Sequence, residues 1–310
     1  MSFQRIIAAA AILALALAGT ACNRPEPEEQ GTRIALVLKT LNNPFFIDMQ
    51  AGAEEAARRL GVELVVQAAE RELDVEKQMQ IVENLIQTDV DAICLTPSGS
   101  KEIVPAVGKA NAAGIPVLIL DTRLDEASVA DQGVTTAAFI GSDNYDGGRI
   151  AGQHLIELTD GSAKVAILEG IPGHETGDSR LRGFREAIQG SDVEIVASQP
   201  ANWERDQGFN VFQNMLQAHP EIDALFACND MMALGAVEAI EAAGRAGQIT
   251  VIGFDAVQDA RSAMQQGKMH ASVAQFPSEM GRLAVEKAVA LLRGEEIEPD
   301  TAVRIQLITP

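Results

Sequence analysis

Apolar positions along this chain follow two alternating rhythms. Short runs of Val, Ile, Leu and Ala predict strands at 33–38, 63–67, 92–95, 116–120 and 137–140. A second set falls at 164–168, 193–197, 224–227, 250–253 and 271–274. Between the runs the spacing changes to that of a helix with one apolar face, as at Phe46, Met49, Ala53, Ala56 and Leu60. Gly61, Gly114, Gly190 and Gly244 stand where such helices should end, since a left-handed terminal residue is easiest for glycine. Strand, helix, strand in this order predicts parallel sheets with crossover helices. Two such sets predict an α/β protein of two lobes, each a doubly wound parallel sheet.

Open parallel sheets collect ligands at the carboxyl ends of their strands. The residues just after each apolar run are therefore the informative ones. They are "LKTLNNPFF" (38–46), Asp121-Thr122-Arg123, "EGIPGHETGDSR" (169–180), "SQPANW" (198–203), "CND" (228–230), Phe254-Asp255 and Gln275. Asn and Asp after a strand often cap the next helix, and that reading is expected for Asp143 and Asn144 in "GSDN". Capping does not explain Phe45, Phe46 or Trp203. Large aromatics beside amides and carboxylates suit a ligand that is flat, half apolar and rich in hydroxyls.

Charge narrows the choice of partner. The 310 residues hold 24 Lys and Arg against 44 Asp and Glu, a formal charge of −20. Such a surface repels nucleic acid and anionic membranes. Residues 1–22 have a basic start, an apolar stretch and the small-residue ending "AGTAC", the pattern of a secretory signal peptide too short to span a membrane. Cys22 then admits two readings, lipid attachment at a lipobox or ordinary cleavage before an unmodified cysteine. Residues 23–32, rich in Pro and Glu, read as an acidic tether without a core of their own.

Enzymatic signals are thin. Cys94 and Cys228 sit inside strand-like runs and are expected to be buried and unpaired. His154, His174, His219 and His270 lie far apart without metal-ligand spacing, and each is expected at the surface or at a helix cap. No nucleophile elbow occurs, and neither "GSDNYDGG" nor "LEGIPG" has the order of a phosphate-binding loop.

With "LNNPFF", "SQPANW", "FACNDMMALGA", "VIGFDAVQDA" and "SVAQFP" in the same order and at similar spacing, the chain resembles the periplasmic ribose-binding protein family. These are sugar-binding components of ABC importers, related to the sensor domains of LacI-type repressors. The resemblance runs from about Ile34 to the C-terminus. It implies a type I periplasmic binding fold whose lobes, 32–142 plus 276–303 and 143–275 plus 304–310, are joined by a three-strand hinge. It assigns ligand contacts to Asn43, Phe45, Phe46, Asp121, Trp203, Asn229, Phe254, Asp255 and Gln275. Lys39, Thr122, Asp178 and Arg180 are further candidates. Lys39 stands where the ribose pattern has a serine, and Thr122 and Asp178 stand where it has arginines; Arg123 follows one residue late. The donor set around the ligand therefore differs, because an ammonium and a guanidinium fork are not interchangeable.

The expectation is an exported protein, periplasmic or lipid-anchored at the outer face of a membrane, that captures a monosaccharide by lobe closure and hands it to an ABC permease. It is expected to be a monomer, to use no cofactor or metal, and to break no bond. A ligand carrier for a sensory receptor shares this sequence pattern. A secreted α/β enzyme acting on a sugar is the other alternative. A LacI-type regulator is disfavoured by the leader, the acidic charge and the lack of a helix-turn-helix before Ile34.

Overall fold

The computed structural model describes residues 31–310. The expected leader, Cys22 and all but the last two residues of the expected tether lie outside the described residues. The first half of the fold runs β1 (Arg33–Thr40), α1 (Pro44–Leu60), β2 (Glu63–Ala69), α2 (Val75–Ile86), β3 (Ala92–Leu95), α3 (Val104–Ala112), β4 (Val117–Leu120), α4 (Glu126–Gln132) and β5 (Ala138–Ser142). The second runs α5 (Asn144–Leu158), β6 (Ser162–Glu169), α6 (Glu175–Ala187), β7 (Asp192–Pro200), α7 (Arg205–Ala218), β8 (Ala224–Ala227), α8 (Asp230–Ala242), β9 (Thr250–Asp255), α9 (Gln258–Gln265) and β10 (Ala271–Ala274). The chain then adds α10 (Pro277–Leu292), β11 (Asp300–Val303) and β12 (Gln306–Ile308).

The strands form two sheets, ordered β2-β1-β3-β4-β5-β11 and β7-β6-β8-β9-β10-β12. Every neighbouring pair is parallel except β10 with β12. Each order reverses beside the first strand of its sheet, so a crevice opens there at the carboxyl edge. The chain passes between sheets after β5, after β10 and between β11 and β12, which makes the three-strand hinge. The last two strands carry no long apolar run, and periodicity alone does not find them.

Strand β1 shows why these strands read as unbroken apolar runs. Ile34, Leu36 and Leu38 enter the core layer under α1 and α10, while Ala35 and Val37 enter the layer under α2 and α3. A strand covered on both faces has no polar side to alternate with. The second lobe packs on a single apolar cluster in which Phe184 stacks on Phe226 at 4.4 Å between ring centroids. Helix α1 starts at Asn43, whose side chain accepts from the Phe45 N–H, and stops at Gly61 in the left-handed conformation. Cys94 and Cys228 are free and buried, and burial raises each thiol to about 12. Among the described residues no helix is long and apolar enough to cross a membrane, and no group of three or more His, Cys, Asp or Glu could hold a metal.

Candidate functional site

The carboxyl edges of the two sheets face each other across a closed cleft between the lobes. From the first lobe it is lined by Lys39 at the end of β1, Asn43, Phe45 and Phe46 at the start of α1, Glu72 after β2, and Asp121 after β4. From the second come Thr176 and Arg180 on α6, Trp203 after β7, Asn229 after β8 and Asp255 at the end of β9. Gln275, just after β10, lies on the hinge. The lobes also meet beside the cleft: the Glu175 N–H donates to the Ser100 hydroxyl at 3.2 Å, and Arg71 reaches Glu204 at 3.4 Å.

The first-lobe wall is built around a buried ammonium. Lys39 Nζ donates to Thr122 Oγ1 at 2.8 Å and to Asp121 Oδ2 at 3.2 Å, with Glu72 Oε2 4.0 Å away. The Thr122 hydroxyl in turn donates to Asp121 Oδ2. Asn43 uses its oxygen to cap α1 and its amide to donate to Glu72 at 3.1 Å. Burial pushes the Glu72 carboxyl up to about 7, partly opposed by the Lys39 charge. Phe45 and Phe46 meet edge to face with centroids 5.2 Å apart. Both rings belong to the first-lobe core and also line the cleft.

The second-lobe wall is built around a guanidinium. Arg180 donates from Nε to Asn144 Oδ1 at 2.9 Å and from Nη1 to the Cys228 carbonyl at 2.7 Å. Its Cζ lies 3.8 Å from the Phe254 ring centroid, and Asp255 Oδ1 is 3.8 Å from Nη1. Gln275 donates to Asp255 at 2.6 Å. Burial pushes Asp255 up to about 8 against the pull of Arg180. Asn229 caps α8 through Met232 N and donates its amide to the Trp203 carbonyl. The Trp203 indole rests on the backbone at Gly170, where any Cβ would overlap its ring, and on Gly177, where a Cβ would sit 3.0 Å away. Gly170 of "EGIPG" and Gly177 of "ETGD" thus serve aromatic packing.

Several expectations need correction. Asp178 lies outside the cleft, exposed on the far side of α6 with Glu169, Arg182 and Arg185, because residues 176 and 180 share one helix face and 178 points the other way. Phe254 is fully buried behind Arg180, and Thr122 is fully buried behind Lys39; neither lines the cleft. Arg123 does not replace the missing arginine: it stacks on Phe139 and pairs with Asp300 outside. Asp143 does cap α5, but Asn144 turns inward to hold Arg180. His174 stands at the N-cap position of α6, one of its two expected places, but it is buried between the lobes and its side chain makes no capping bond. Trp203 is 5% exposed in the closed cleft. Glu72 and Thr176 were missed; each follows a strand at the same edge as the others, which was the available signal.

Two doubly wound lobes whose polar and aromatic groups converge on one enclosed cleft define a solute-binding protein of the bilobal kind. The chain belongs to the periplasmic binding protein family, whose domain model matches residues 34–296. It is 38% identical over 275 residues to the ribose import binding protein of Salmonella typhimurium, covering 89% of this chain and 90% of that one. It is 37% identical over 316 residues to the D-ribose/D-allose-binding protein of Pseudomonas aeruginosa, covering 99% and 98%. Among solved structures, an ABC transporter periplasmic solute-binding protein from Actinobacillus succinogenes with bound D-allose superposes with a TM-score of 0.84 at 41% identity, covering 90% of this chain and 97% of that one.

Proposed function

We propose that this protein captures a monosaccharide of the ribose and allose kind by closing its lobes, and presents the closed form to an ABC import permease. The observation that carries the reading is the pairing of walls: Phe45 and Phe46 on one side and Trp203 on the other offer apolar faces. Asn43, Glu72, Asp121, Arg180, Asn229, Asp255 and Gln275 offer donors and acceptors between them. A sugar ring has that same division, with C–H faces and a rim of hydroxyls. The ligand shifts the open–closed equilibrium by touching both lobes at once. The lobes of this reading are 32–142 with 276–303 and 143–275 with 304–310, turning about the three crossings. No bond is made or broken, ATP is used by a separate subunit, and Cys22 is the proposed lipid attachment point. Calorimetric titration with D-ribose, D-allose and myo-inositol tests the reading, with mass spectrometry of the recovered sugar. Saturable binding of an unaltered sugar is expected; failure of all three to bind, or a chemically changed sugar, would refute it.

A further inference from the structure

The proposed cleft leaves one buried group unused. His174 immediately precedes α6, in the second lobe, and is 4% exposed. What covers it belongs to the first lobe. The loop after β3 packs over this helix start, its Ser100 hydroxyl accepting from the Glu175 N–H and the Ser98 backbone facing the imidazole. Two charged first-lobe groups act on the ring through their fields, Lys39 on β1 and Asp121 after β4. Its own helix contributes Glu175 and Asp178 in the first turn, set against the partial positive charge of the helix start. The Nδ1 atom is buried without a partner. In the proposed opening of the lobes, the Ser98–Ser100 loop would leave this helix end and the ring would meet water.

We infer that His174 is a proton-sensitive latch: the lobes close over it only when the imidazole is neutral. The inference rests on the proposed closing motion. An imidazolium in the closed form would be stripped of water beside the Lys39 ammonium and the positive end of α6, with the Ser98 backbone and Asp121 opposing. Burial first, then Lys39, lowers the histidine to about 3 in the closed form, against 6.5 for an ordinary histidine. The sign follows from linkage. A base held below its ordinary value favours closure fully above that value and opposes it progressively as pH falls below it. Glu72 and Asp255 act the other way, because closure raises both carboxyls and so takes up protons. The latch is therefore read as a ratio between wild type and variant, in which the carboxylate contributions cancel.

Affinity for D-allose and D-ribose is measured by calorimetry at pH 7.5 and 5.5 for wild type, His174→Asn and His174→Gln. With a free value near 6.5, wild type should lose about tenfold in affinity relative to either variant between the two pH values. A wild-type-to-variant ratio that stays flat across this range overturns the latch while leaving sugar capture standing. If neither sugar binds at pH 7.5, the functional reading fails on its own. Small-angle scattering of the ligand-free protein then decides the latch: expansion at pH 5.5 in wild type but not in His174→Asn supports it, and identical curves overturn it.

Discussion

Gly170→Ala is the smallest change that reaches the cleft without altering any polar group. A Cβ at this position would overlap the Trp203 indole at Cζ2, Cη2 and Cε2. The nearest ring atom would lie 1.9 Å from that Cβ; carbon atoms settle at about 3.5 Å or more, so the ring must retreat by roughly 1.6 Å. Its freedom is one-sided. Gly177 and the second-lobe core hold it from behind, and the Trp203 backbone is pinned by the Asn229 amide in a left-handed conformation (φ 68°). The remaining direction is into the cleft, where the ligand belongs. Overpacking of this kind costs about 1–3 kcal/mol. If the strain falls wholly on the bound state, affinity drops roughly five- to hundredfold, at 1.4 kcal/mol per decade. The backbone of Gly170 is not in the left-handed region, so alanine adds no torsional penalty. Calorimetry reads the affinity, and Trp203, as the only tryptophan of the chain, reports ring position through its emission. Gly177→Ala is the control. Its Cβ would sit 3.0 Å from the ring, and alanine suits a helix interior better than glycine, so binding should change much less. Wild-type affinity and unchanged emission in Gly170→Ala would show that the indole does not face the ligand.

Asp121→Ala should weaken sugar binding by roughly ten- to hundredfold, because a hydrogen bond to a charged group is worth about 1.5–3 kcal/mol, and Asp255→Ala should do the same at pH 9, above the value of about 8 to which burial raises its carboxyl; unchanged titrations for both would reject the cleft. Lys39→Met leaves Asp121 without its buried cation, and breaking such a pair costs about 3–5 kcal/mol, so its melting temperature should fall clearly below wild type at pH 8. The Glu72 and Asp255 carboxyls are raised in the ligand-free closed form, to about 7 and about 8. Acids raised in the folded state oppose it once they ionise, so thermal stability should decline as pH rises from 5 to 9, and Asp255→Asn should flatten the upper part of that decline. A wild-type stability that climbs steadily over this range would contradict the burial of both groups.

Much of the fold was legible because a strand covered on both faces must be apolar there, as Ile34–Leu38 of β1 and the whole of β3, β4 and β8 are. Strand β11 escaped periodicity because it is half exposed at a sheet edge, and β12 because it has only three residues. The site was readable from position, since the strand exits carry the chemistry. Glu72 was lost in an acidic stretch of a chain with 44 acidic residues, where one more carboxylate carries little information. Asp178 was misplaced for a different reason. Its position came from a motif offset, whereas helix geometry puts Thr176 and Arg180 on one face and Asp178 on the other. His174 could not be found from sequence at all, because its burial depends on a loop from the other lobe.

Strain and unmet hydrogen bonds point to the same surface. Among the described residues seven that are not glycine have positive φ, and three of them, Asp121, Trp203 and Asp255, line the cleft. Phe276, another, sits on the hinge beside Gln275. Such conformations cost about 1–3 kcal/mol each and persist only where surrounding packing enforces them. Strand-end left-handed turns aim these side chains across the sheet edge instead of along it, which a relaxed exit would not do. Three cleft-lining polar atoms, Trp203 Nε1, Gln275 Oε1 and Thr176 Oγ1, are buried without a partner in the protein. The indole and hydroxyl can donate, and the amide oxygen can accept, so the three together match a ligand group that does both. A hydroxyl does both; a carboxylate or an ammonium does only one. The complementarity of these atoms therefore favours a neutral polyhydroxyl ligand over a charged one. Titration with ribonate alongside D-ribose checks the point: the acid should bind at least tenfold more weakly, and equal affinities would mean that Lys39 and Arg180 recognise charge in place of holding the walls.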